Sequence, residues 1–317
     1  MAQATMTIAD GSGATVLAEI NAALAALVSE NSGASAPTTT FPFMTWANTA
    51  TGLLMMRDST NSYWIVCQPL SVVGTARNLK ASLTAAATSI TFTADEVILE
   101  TALGGTAYKI ANLNKTLNMA GGPGAGYMDT GAAGPVSGFC AVYAIYNPTT
   151  QNVALLGYNA TSVNAPNVYG GANMPAGYTA SALLSVWPTN AASQFVIGLQ
   201  LDRLISIYNV TVLNTSTLQG AWTSLSIASA VPLNAKTISG YWTLSNNTAN
   251  ASTYVALAAS VLGVGAQQMA SSSGVSAGGE SFSFSSLSLL TPQTLYYEIW
   301  VGSGTPSVTL NISSYTI

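Results

Sequence analysis

Apolar positions near the start of the chain repeat at helical spacing. Leu17, Ile20, Leu24 and Leu27 stand three, four and three residues apart, the a and d seam of a coiled coil carried for two heptads. Ala18, Ala22, Ala23, Ala25 and Ala26 add helix propensity. Asp10-Gly-Ser-Gly13 leads in and Asn31-Ser-Gly33 stops the pattern, so residues 1–32 are expected to hold one helix over Ala14–Glu30. A helix of about 17 residues is roughly 25 Å long and marginal alone in water. Its seam needs a partner, either copies of itself or its own domain.

The next segment, residues 33–75, is short and rich in aromatic residues. Pro37 and Pro42 restrict its backbone. MTWANTATGLLMMRD reads as strand, turn and strand, with Gly52 in the turn, and SYWIV as a third strand. Trp46 and Trp64 would supply most of the core of this small β segment. From about residue 76 the period becomes two and stays there. SITFT, EVILET, GFCAVYAIYN, NVALLGYN, ALLSVW, QFVIGLQL, LISIYNVTVL, WTSLSIAS, ISGYWTLS, SFSFSSLSLL, LYYEIWV and SVTLNISSY read as strands separated by Gly, Pro, Asn and Ser. The pattern therefore predicts a mainly β chain: an antiparallel β-sandwich-like body over residues 76–317, preceded by a short N-terminal helix and a small β segment. GFCAVYAIY is apolar on both faces and is expected to be a central strand covered on both sides. SFSFSSLSLL alternates with serine, as a strand half open to water does.

Composition narrows the chemistry. The chain of 317 residues has seven Lys and Arg, eleven Asp and Glu, and no histidine. An average domain is about a quarter charged. The surface must be built from Ser, Thr, Asn and Gly, or be covered by partners. Without histidine, Ser-His-Asp and Cys-His catalysis are excluded, and two cysteines cannot build a zinc site. No metal or cofactor is expected. A net charge of −4 with so few cations argues against nucleic acid. Cys67 and Cys140 sit in apolar runs and read as two buried free thiols. MAQATMTIAD has no basic n-region and no long apolar core, so no export signal is expected. The longest bland run, Ala251–Ala266, is too short and too diluted by Ala, Ser and Gly for a membrane span, so no membrane insertion is expected.

Particular residues carry a resemblance. Ala36-Pro37-Thr38, Trp46, Thr51-Gly52-Leu53, Arg57 and Trp64, following the Ala/Leu/Asn-rich helix and its Asn-Ser-Gly, resemble the N-terminal segment of bacteriophage tail-fibre proteins. Asn48 stands where that pattern commonly has aspartate, which weakens a local turn. MDTGAAGPVSGFCAVYAIYNPTTQNVALL with NMPAGYTASALLSVWPTN is similar to the tip region of phage and prophage fibres, and LLTPQTLYYEIWVGSGTPSVTLNISSY to their C-terminal end. The resemblance implies a structural virion protein, assembled in the bacterial cytoplasm. It implies a homotrimer joined to other tail or capsid proteins through its N-terminal segment, with its far end on a bacterial surface glycan or protein. A capsid-decoration or tail-tip component without receptor contact, and a polysaccharide-cleaving tailspike, are the alternatives.

Candidate chemistry is then limited to carboxylates and aromatic rings. A glycan-cleaving site would need two carboxylates roughly 5–10 Å apart. Asp95, Glu96 and Glu100 cluster, and Asp129, Asp202, Glu280 and Glu298 are further candidates. No long repetitive β-helix accompanies them, so a non-catalytic protein is expected. Sugar binding asks for aromatic faces beside polar groups. Tyr169, in the turn-rich stretch 160–179, is the first candidate for receptor binding, with Trp187, Trp222, Tyr241, Trp242 and Trp300 after it. Each of these rings is equally suited to the core. Asp202-Arg203 reads as a solvated hairpin tip. VYGGANMPAG and MAGGPGAGYMD are glycine-rich without phosphate-loop spacing. The trimerisation residues are Leu17, Ile20, Leu24 and Leu27.

Overall fold

The structure, a computed structural model, describes residues 3–50, 53–67, 72–131, 133–272 and 280–317. The chain forms two compact units, residues 1–72 with 100–107, and residues 73–99 with 108–317. The helix and the small β segment thus belong to one unit. Thr51 and Gly52, the expected turn, lie outside the described residues.

In the first unit, helix α1 (Gly13–Val28) precedes a meander of β1 (Thr45–Asn48), β2 (Leu53–Arg57) and β3 (Trp64–Val66), all antiparallel. Ser12 caps α1, its hydroxyl accepting from the Thr15 N–H at 3.3 Å. Glu30 and Asn31 adopt left-handed backbone, and the Asn31 N–H returns to the Ala26 carbonyl at 2.7 Å, closing the helix. The buried Asn31 amide then donates to the Thr45 carbonyl at 3.0 Å. Trp46 packs on Trp64 with ring centroids 5.2 Å apart, and the Arg57 guanidinium lies 5.0 Å from the Trp64 ring centre.

The remaining strands are β4 (Ala76–Arg77), β5 (Lys80–Leu83), β6 (Ser89–Glu100), β7 (Ala107–Asn118), β8 (Phe139–Asn147), β9 (Asn152–Asn159) and β10 (Ala180–Pro188). They continue as β11 (Gly198–Leu201), β12 (Leu204–Thr215), β13 (Gln219–Ser226), β14 (Thr237–Asn246), β15 (Ser252–Ala258), β16 (Gln267–Ser272), β17 (Glu280–Ser288), β18 (Thr294–Val301) and β19 (Pro306–Thr316). The larger sheet runs β17-β14-β19-β12-β11-β5-β6-β10-β8-β9, with β4 and β7 also paired to β6. A second sheet runs β13-β18-β15-β16. The chain is mainly β, with antiparallel sheets and one short N-terminal helix among the described residues, a β-sandwich-like body.

Alternation explains the core. Ile238, Trp242, Leu244, Val308, Leu310 and Ile312 of the larger sheet share one apolar cluster with Val255, Leu257, Leu295, Tyr297 and Ile299 of the smaller one. β8 lies between β10 and β9 and is buried on both faces. Cys140, Val142 and Ala144 join that cluster, while Phe139, Ala141, Tyr143 and Ile145 form a second one with Leu183, Val186 and Tyr169. β17 has serine on its open face, and its inward set Phe284 and Leu287 is three apart. A bulge at Ser286, in left-handed backbone, restores the phase.

Three expectations change. SITFT and EVILET are one strand, β6, whose inward set slips by one residue from Ile90, Phe92 and Ala94 to Val97 and Leu99. β4, β5, β7, β15 and β16 are strands that the alternation did not mark. In β7 the buried Ile110, Leu113 and Leu117 are three and four apart, because Asn112 sits in left-handed backbone between them. Cys67 is exposed; Cys140 alone is buried, and desolvation pushes its thiol up to about 12.

Candidate functional site

The helix presents its apolar seam to water. Its inward side is Val16, Glu19 and Ala23, all half-buried, and Ala26, fully buried. The Glu19 carboxylate fixes this rotation by accepting the Ala9 N–H at 2.7 Å. Leu17, Ile20, Leu24 and Leu27 stand one residue later in the helical repeat, and are 58, 37, 54 and 59 % exposed. The chain buries the small side of α1 and leaves out the side that is costly to hydrate.

The aromatic candidates divide. Trp187, Trp242 and Tyr169 are core residues, which corrects the expectation that they offer rings to a receptor. Trp187 is fully enclosed, meets Phe92 edge-on at 6.4 Å, and donates its indole N–H to the Val196 carbonyl at 3.0 Å. Trp242 points inward from β14, in the same row as Ile238 and Leu244. Tyr169 does lie in a turn-rich stretch, but its ring packs edge-on against Tyr143 and Tyr158, and its hydroxyl donates to Asp129 Oδ2 at 2.8 Å. Burial, then that buried carboxylate, push the Tyr169 phenol well above its ordinary range. Tyr241 is half-buried on the outer face of β14. Trp222 and Trp300 stand on the smaller sheet.

Most of the candidate carboxylates have a separate neighbour of their own. Asp95 accepts from the Asn78 amide, Glu96 pairs with Lys109 at 2.7 Å, Glu100 accepts the Gly104 N–H at 3.1 Å, and Asp202 the Leu79 N–H at 3.1 Å. A polar cleft of about 330 Å³ lies between Asn78, Lys80, Thr93, Asp95 and Asn114, and Asp95 is the one carboxylate among its described lining residues. Arg203 lies at the tip of the β11–β12 hairpin, as expected, but is not solvated. Its guanidinium donates to the Leu183 carbonyl at 3.0 Å and the Gly74 carbonyl at 2.6 Å, and desolvation lowers its pKa.

The outer face of the β13-β18-β15-β16 sheet gathers what remains. Leu295, Tyr297 and Ile299 of β18 point into the core, so Tyr296, Glu298 and Trp300 point out. Tyr254 is the Cα partner of Trp300, and Ala256 that of Glu298 on one side and Gln268 on the other. Trp222 lies on the same face by alternation from Thr223, the partner of the inward Tyr297. The backbone of Gly263, in the β15–β16 loop, lies against its indole, where a Cβ would come within 2.8 Å of Nε1. Tyr254, Tyr296 and Glu298 were not singled out for binding from the sequence; the run LYYEIWV carried the signal, with Tyr296, Glu298 and Trp300 in one alternating row.

No protein-family model matches the chain, and no curated protein matches it. Among solved structures, it is similar to the T13 viral particle of infectious bursal disease virus, at 10 % identity over 79 % of this chain and 72 % of that one, with a TM-score of 0.25. It is similar to the VP2 subviral particle of the same virus at 10 % identity, 78 % and 74 % coverage and a TM-score of 0.24. A tryptic core variant of Bacillus thuringiensis Cry1Da is similar at 8 % identity, covering 78 % of this chain and 53 % of that one, with a TM-score of 0.20. Likenesses at this level assign no role. Among the described residues, no helix is long and apolar enough to cross a membrane.

Proposed function

We propose that this protein is a non-catalytic structural component of a virion, a phage tail fibre that self-associates as a homotrimer and adheres to a bacterial surface. One observation carries the reading: the seam Leu17, Ile20, Leu24 and Leu27 faces away from its own chain. Two heptads of large aliphatic side chains left in water are stabilised by packing against copies of themselves. The β11–β12 hairpin supports the same reading. Leu199, Leu201, Leu204 and Tyr208 are exposed on its outer face, with Ile197 beside them. These strips give sister chains apolar surface to bury. Adhesion follows from multivalency, since three weak contacts held on one fibre act at high effective concentration.

The test is mass in solution. The native chain is expected near three times its 32.3 kDa, and Ile20→Asp with Leu24→Asp near one. A native protein that runs as a single chain at micromolar concentration would overturn the trimer. Exposed aspartates at these positions leave the inward side of α1 intact, so the doubly substituted chain keeps its β circular dichroism.

A further inference from the structure

We infer that the outer face of the β13-β18-β15-β16 sheet is a carbohydrate-binding surface, formed by Trp222, Tyr254, Gln268, Tyr296, Glu298 and Trp300. The inference rests on the adhesion reading above and names the receptor class.

The face has the two kinds of group that sugars need. Pyranose rings present flat C–H surfaces, which pack on aromatic rings, and a periphery of hydroxyls, which donate to carboxylates and share hydrogen bonds with amides. Along β18 the outward residues Tyr296, Glu298 and Trp300 succeed one another at intervals of about 7 Å, so the row is about 14 Å long. Tyr254 stands beside Trp300 across one strand spacing, near 5 Å. Ala256 and Ala258, the Cα partners of Glu298 and Tyr296, are fully buried, so the accessible surface is that of the larger side chains around them. Trp300 is 55 % exposed. At the other side, the backbone around Gly263 backs Trp222 and holds its plane.

The polar groups on this face are left to solvent. The Glu298 carboxylate, the Tyr254 and Tyr296 hydroxyls, the Trp222 and Trp300 indole N–H groups and the Gln268 amide have no hydrogen-bond or ion-pair partner among the described residues. Glu298 is close enough to Tyr254 that its charge adds to burial in raising the phenol. This separates the face from the strips assigned to sister copies, which are aliphatic apart from Tyr208. A second copy that packed this same face against it would bring no cation to Glu298, because β13, β15, β16 and β18 carry no Lys or Arg. A neutral polyhydroxyl ligand gives that carboxylate donors and keeps its outer edge wet. Glu298 is the one carboxylate on this face among the described residues, and glycan hydrolysis needs two.

The experiment probes native protein and variants on an array of immobilised bacterial polysaccharides, with solution mass measured on the same samples. Native protein is expected to bind some of the polysaccharides. Trp300→Ala and Tyr254→Ala are each expected to weaken that binding about tenfold, as loss of an exposed stacking ring does. Glu298→Gln keeps the shape, loses the charge-assisted bonds and is expected to weaken it severalfold. Tyr63→Ala, an exposed ring that belongs to neither the apolar strips nor this face, leaves sugar binding unchanged. Binding to none of the polysaccharides, or equal binding by native protein and the Trp300, Tyr254 and Glu298 variants, overturns the inference. The two readings fail separately: a blank array with a trimeric mass removes the sugar face alone, and sugar binding by a monomer removes the trimer alone.

Discussion

Helix α1 and strand β8 treat apolar side chains in opposite ways. β8 and its neighbour β10 are buried at nearly every residue, including Tyr143 and Trp187, because a sheet layer covered on both faces lets each side chain find a core. α1 has a comparable run of large aliphatics and buries only Ala26 outright. The difference teaches that apolar content alone does not locate a core. β8 is apolar in both of its alternating rows and needs nothing beyond its own chain. α1 is apolar along a narrow seam, and its own chain takes the other side.

The comparison is most severely tested in the body. Trp187→Ala removes a fully enclosed ring and is expected to cost about 3–5 kcal/mol, read as a lower denaturant midpoint. An unchanged midpoint would mean that the β8–β10 layer is not what stabilises the body. A smaller effect separates the two sides of α1. Ala26→Leu overpacks the inward side and is expected to cost about 1–3 kcal/mol at every protein concentration. Leu27→Ala is expected to change only the concentration-dependent part of the stability, because its loss is felt between chains. If Leu27→Ala destabilised a dilute monomer, the outward orientation would be wrong.

The smallest expected effect is on the β2–β3 turn. The Thr60 hydroxyl, with the backbone N–H groups of Tyr63, Ser62 and Thr60, holds the Asp58 carboxyl well below its ordinary 3.8. A folded-state pKa below the unfolded one stabilises the turn above 3.8, and the benefit fades as pH falls from there. The protection of amides over residues 53–66 against hydrogen exchange, corrected for the intrinsic rate at each pH, is expected to fall modestly between about pH 5 and about pH 2. Asp58→Asn should flatten that response.

Much of this was legible in the residues. The period-two runs located most strands, the double-sided apolarity of GFCAVYAIY placed β8 at the centre of its layer, and helical spacing placed α1. Bulges defeated the reading of alternation, since one left-handed residue at Asn112 turns a strand's inward set into helix-like spacing, and the slip in β6 split one strand in two. The candidate rings were harder. Trp187, Trp222, Trp242 and Trp300 are alike as letters, and burial is decided by which row of a strand each occupies and what sheet lies over it. Tyr169 misled for another reason: its loop is turn-rich, yet Ser181 and Asp129 tie it to the layer beneath. Arg203 does stand at the β11–β12 tip, but it read as solvated because its carbonyl partners, at Gly74 and Leu183, are distant in sequence.

The two cysteines have a practical consequence. Cys140 is sealed between sheet layers with its thiol held protonated, while Cys67 opens to solvent at the end of the small meander. A maleimide dye therefore reacts at one place per chain without any engineering. Where chains gather around a common axis, those dyes come within energy-transfer range of one another, and the native polypeptide reports its own assembly in light.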